Sequence, residues 1–191
     1  FEAGSEPLTI GFQPGSDERG PFYQSPLTKI YVNRELVASA AYATARDQKD
    51  EGIFSTPSND RNVTVTLQGN VNTISDYMFS GVQMQTIWIP REVTTICKGA
   101  FYDCSSLMSV YCKHTTPPTG VYNMFDNNAE ARKIYVPHNS VKAYKSASAW
   151  RGYADYIVSS NYAPGEIVPE TPAANNEIWY TNGSTTEPTM P

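Results

Sequence analysis

The chain of 191 residues carries 14 Lys+Arg against 19 Asp+Glu, a formal net charge of -5, with charged residues at only 17 %, below the roughly 25 % of ordinary soluble domains. That acidic balance excludes a surface built for nucleic acid or an anionic membrane, which needs clustered Lys and Arg, and no apolar run reaches the roughly 18 residues of a membrane span. Hydrophobic residues at 40 % suffice for a packed core, so wholesale disorder is excluded too.

The aliphatic balance is more telling: 13 Val and 11 Ile stand against 5 Leu, beside 18 Thr and 13 Tyr. β-branched and aromatic side chains fit a pleated, half-buried surface, so the chain reads as strand-rich. Residue 1 is Phe and no leader follows it, which reads as a processed or excised piece. Three cysteines cannot make a disulfide framework; at most one bridge forms, and small buried hydrophobes are the simpler reading.

Five segments share one pattern along the chain: Ile30-Tyr31-Val32, Val65-Thr66-Leu67, Ile87-Trp88-Ile89, Val110-Tyr111-Cys112 and Ile134-Tyr135-Val136, spaced by 35, 22, 23 and 24 residues. A Phe precedes each, at Phe22, Phe54, Phe79, Phe101 and Phe125. Leu67, Val71, Ile74 and Phe79 fall on Ile89, Val93, Ile96 and Phe101 without a gap. The strands open as L-x-x-L-x-L with loose aliphatics, as in Met84-x-x-Ile87-x-Ile89 and Leu107-x-x-Val110-x-Cys112, which is the start of a leucine-rich repeat. One such unit cannot bury its apolar side alone, but stacked units share a continuous core. The predicted fold is therefore β-dominated: a leucine-rich-repeat solenoid of short parallel strands and irregular convex turns. The long first spacing is expected to hold a loop or short helix over Ala38–Gly52.

An open solenoid needs a terminal cap. Val141, Tyr144, Ala147, Trp150 and Tyr153 or Ala154 recur at helical steps after Ser140, which predicts a capping helix over 140–151 that lays Tyr144 and Trp150 on the last rung. The leucine-rich-repeat domain is thus read as 1–158. Residues 159–191, with Pro at 164, 169, 172, 188 and 191, read as a linker or the start of a following module, with one strand-like island at Asn176–Thr181.

At Ile89-Pro90-Arg91-Glu92-Val93-Thr94-Thr95-Ile96, followed by Ala100-Phe101-Tyr102-Asp103-Cys104 and Leu107, the chain resembles the BspA-like leucine-rich repeats of surface proteins from Bacteroides-type bacteria. Thr115-Thr116-Pro117-Pro118 with Ile134-Tyr135-Val136-Pro137 resembles the last repeat of that family, and Ala143-Tyr144-Lys145-x-Ala147-x-x-Trp150 its closing helix. The chain departs from the family pattern at Cys97, where Gly is usual, and in a degenerate unit over 54–67. The resemblance implies an exported protein on the bacterial cell surface, a non-catalytic binding or adhesion module, and a host extracellular protein or polysaccharide as partner.

Catalytic readings find no support in the residues. Only His114 and His138 exist, and there is no G-x-S-x-G elbow, P-loop, G-x-G-x-x-G or H-E-x-x-H. No enzyme activity, cofactor or metal is expected. Cys97, Cys104, Cys112 and His114 lie close in sequence but lack zinc-knuckle spacing; repeat register instead gives Cys112 the inward place that Ile89 holds one rung earlier. Spacing alone leaves a Cys97–Cys104 bridge open.

Between the inward residues of each strand one side chain must point out, since strand faces alternate. These are Tyr31, Thr66, Trp88, Tyr111 and Tyr135, flanked on the same face by Lys29, Thr86, Ser109, Lys113 and Lys133. Tyr31, Trp88, Tyr111, Tyr135 and Lys133 are the candidate ligand-binding residues. Two readings of the row coexist: a cross-strand ladder that stabilises the sheet, and a recognition strip of rigid aromatics with polar tips. The first makes the domain a structural spacer or stalk that carries another module. The second makes it a monomeric binding module.

Overall fold

The computed structural model describes residues 6–10, 21–22, 25–38, 53–54, 62–121, 123–160, 169–172 and 178–180. The expected loop or helix at Ala38–Gly52 lies, beyond residue 38, outside them. In chain order the described strands are β1 (Leu8–Ile10), β2 (Lys29–Arg34), β3 (Leu36–Ala38), β4 (Thr64–Asn70), β5 (Thr73–Ile74), β6 (Thr86–Ile89), β7 (Thr95–Ile96), β8 (Ser109–Cys112), β9 (Thr119–Gly120) and β10 (Lys133–Val136). Helix α1 (Val141–Ser146), β11 (Ile157–Ser159), β12 (Pro169–Pro172) and β13 (Ile178–Tyr180) follow.

The strands stack in parallel, one rung per repeat. Ile30 pairs with Val65 and Val32 with Leu67 in the β2–β4 sheet. Ile87 pairs with Val110, Val110 with Ile134, and Ile134 with Ile157 in the sheet of β6, β8, β10 and β11. Cys112 lies opposite Ile89, as repeat register predicts. All these side chains are buried. Period-2 alternation puts them on one side of every rung, and stacking seals that side. A second column of very short strands runs along another side of each coil: β1 beside β3, and β5 beside β7 beside β9. The Ser75 hydroxyl donates to the Leu36 carbonyl and so ties these two groups together.

Aromatic rings run through the core. Phe22, Phe54, Phe79, Phe101 and Phe125 stack face to face, with successive centroids 5.3, 5.6, 5.5 and 5.2 Å apart. The backbone repeats with them. Phe79 N–H donates to Ala100 O and Phe101 N–H to Met124 O, both at 2.9 Å. Two residues past the ring the chain turns through positive φ in three consecutive rungs, at Gly81 (72°), Asp103 (57°) and Asn127 (58°). Glycine, Asp and Asn are the residues that reach this region at least cost.

The cap supplies what the next rung would have supplied. Phe125 N–H has no following carbonyl and donates to the Tyr153 hydroxyl at 3.2 Å, which in turn donates to Asp126 Oδ1 at 2.7 Å. Tyr144 OH donates to His114 O and Trp150 Nε1 to Pro118 O, each at 2.8 Å. Trp150 and Tyr153 close the ring stack, at 5.9 and 5.7 Å from Phe125. The helix that brings them is shorter than its periodicity suggests. Ala147 turns to an extended ψ of 137°, and a 3-10 turn at Arg151–Tyr153 carries the rest. After it the chain returns as β11, a further rung beyond the five in the sequence pattern. Near the end, β12 and β13 pair antiparallel, and the Asn176–Thr181 island coincides with β13.

A stacked aromatic row and the crevice beside it

The candidate row divides in two. Trp88, Tyr111 and Tyr135 are register partners on β6, β8 and β10. Their rings stack at 3.9 Å and 9°, then at 4.6 Å and 11°. Parallel strands hold equivalent side chains about 4.8 Å apart, so planar rings at equivalent positions lie flat on one another. The consequence is chemical: both faces of Tyr111 are covered by its neighbours, and what the row offers outward is ring edges. Trp88 is only 8 % exposed. Lys133, exposed, lies on the same face as Tyr135, in register with Ser109 and through it with Thr86.

Tyr31, 53 % exposed, is not part of this stack. It pairs in register with Thr66 on β4, and there the column breaks. β4 and β6 lie side by side but belong to separate sheets. Val63 N–H donates to Gln83 O at 2.7 Å where the two strands start. Between β6 and β8 the bond at the strand start runs the other way, from Ser109 N–H of the later rung to Gln85 O of the earlier one at 3.1 Å. A crevice of about 200 Å³ lies between β4 and β6, bordered by Asn62, Thr64, Gln85, Thr86 and Trp88 together with the buried Val63 and Val65. The Trp88 Nε1–H is buried and has no acceptor. Of these residues only Trp88 was among the candidate ligand-binding residues of the sequence. The degenerate 54–67 unit was the available signal: its strand β4 keeps register with β2 but not with β6.

Among the described residues no cluster of three or more His, Cys, Asp or Glu is placed to hold a metal. Cys97, Cys104 and Cys112 are all free thiols. Burial raises all three above the ordinary thiol range, and for Cys97 the charge of Asp76 adds to it. Cys104 is fully buried and donates its S–H to Phe79 O at 3.1 Å. His138 Nδ1 meets Ser159 Oγ at 3.0 Å, on the surface. Among the described residues no helix is long and apolar enough to cross a membrane.

No curated protein matches the chain. Six copies of a repeat whose family is described as "BspA type Leucine rich repeat region" match residues 51–149, just over half of the chain. That span runs from the second ladder Phe to the cap, and so covers the stacked aromatic row and the crevice. The repeated strands, the Phe stack and this match agree, and the chain belongs to the BspA-type leucine-rich-repeat family.

Proposed function

We propose that this domain is a non-catalytic recognition module, exported and displayed at a bacterial surface, whose strand face binds a host extracellular protein or glycan. The family supports a role in protein interaction or adhesion. The single observation that carries the reading is the continuous Trp88–Tyr111–Tyr135 row, with Lys133 beside it on an open sheet face. Ring edges and a cation give a flat, rigid surface that loses little conformational entropy on contact.

A structural spacer is the second reading, and the face-to-face stacking favours it, because rings that cover each other stabilise the sheet without any ligand. The test is a binding screen of immobilised extracellular-matrix proteins and polysaccharides, with the native chain and a Lys133→Glu/Tyr135→Ala variant. Recognition predicts a ligand whose affinity falls at least about ten-fold in the variant, equivalent to about 1.4 kcal/mol, with an unchanged fold. A variant that loses thermal stability and no binding supports the spacer.

A further inference from the structure

We propose that the crevice between β4 and β6 is a subsite for a single neutral sugar ring of a glycan. The proposal rests on the strand face being the recognition surface and gives that surface a ligand class.

Size comes first. At about 200 Å³ the crevice is smaller than the pockets of about 300–1,000 Å³ that hold drug-sized molecules, and it suits one ring. Its polar border is uncharged: the carboxamides of Asn62 and Gln85 and the hydroxyls of Thr64 and Thr86. Each of these groups both donates and accepts, as the hydroxyls of a sugar do. An anion would call for Lys or Arg there and a cation for carboxylates.

The unpartnered indole of Trp88 marks this place along the row. Trp88 stands at the end of the stack: one side of its indole lies on Tyr111 at 3.9 Å, and the residue itself forms one wall of the crevice. The indole N–H, a donor only, is buried without an acceptor. A buried donor in that state is costly, and a sugar hydroxyl oxygen is an acceptor of the missing kind. The break in the ladder, the neutral border and the unsatisfied indole therefore converge on one small neutral polyol.

The test follows the indole N–H resonances of the whole chain by NMR during titration with D-glucose, D-galactose, D-mannose and N-acetyl-D-glucosamine. Trp88→Phe assigns the Trp88 signal. The expected result is a saturable, millimolar shift of Trp88 with at least one sugar, while Trp150 and Trp179 stay still. Asn62→Ala/Gln85→Ala, at two exposed positions, should weaken that sugar roughly five-fold, the loss of about one net hydrogen bond. No saturable shift with any of the four, a shift equally strong in the double variant, or a shift with acetamide alone overturns the proposal. If sugars leave Trp88 unmoved while Lys133→Glu/Tyr135→Ala still loses its partner, the crevice assignment fails and the strand-face reading stands. A Trp88 shift together with partner binding indifferent to Lys133→Glu/Tyr135→Ala supports the crevice and rejects the strip.

Discussion

Replacing Phe101 by Ala tests the ring stack that runs through the core. Phe101 is 0 % exposed and lies between Phe79 at 5.5 Å and Phe125 at 5.2 Å. The rings on either side belong to separate turns, each tied to the next by its own backbone hydrogen bonds. They cannot slide together to fill the space. Phe→Ala in such a site costs about 3–5 kcal/mol, and two lost aromatic contacts of about 0.5–1.5 kcal/mol each place Phe101 in the upper half of that range. Phe101→Leu keeps most of the volume and should cost about 1–2 kcal/mol. Urea unfolding followed by far-UV circular dichroism measures both. Double-mutant cycles then test the architecture: Phe79→Leu with Phe101→Leu should couple by about 0.5–1.5 kcal/mol. Phe79→Leu with Phe125→Leu, kept apart by Phe101, should add to within about 0.5 kcal/mol. A Phe101→Ala cost under about 2 kcal/mol, or coupling as strong across the gap as between neighbours, would refute a core shared only between adjacent turns.

Three further outcomes follow from the same structure. Tyr153→Phe removes the acceptor of the Phe125 N–H, and should destabilise the domain by about 1–3 kcal/mol and speed hydrogen exchange at the Phe125 amide. Gly99 sits at φ 59°, and a Cβ there would lie 2.4 Å from Tyr77 Cε1; Gly99→Ala should cost about 1–3 kcal/mol, measured by thermal melting and partly restored by Tyr77→Ala. Burial holds the Cys104 and Cys112 thiols and the Tyr144 and Tyr153 phenols neutral, with folded pKa values raised above their ordinary ones. Their contribution is therefore fully present below the unfolded thiol pKa of about 8.5 and is lost as pH rises beyond it. Urea midpoints should fall between pH 8 and pH 10.5, with the fall reduced in Cys112→Val; a midpoint that stays level across this range would contradict the assignment.

The sequence by itself determined the repeat. Inward Ile and Val, the Phe landmarks and Cys112 in the place of Ile89 were all legible, because a solenoid reuses the same local chemistry every rung and periodicity survives in one dimension. The aromatics of the cap were legible for the same reason, as a helical stripe. Tertiary structure decided the rest. Trp88, Tyr111 and Tyr135 were readable as an outward row, yet only the inter-rung spacing turns their rings flat against each other, covers their faces and leaves Tyr31 outside the stack. The Tyr153 hydroxyl as a substitute for a missing carbonyl, the extra rung β11 and the crevice between β4 and β6 depend on how two distant segments meet. A break in hydrogen-bond register belongs to a pair of strands, and no residue of either strand carries it alone.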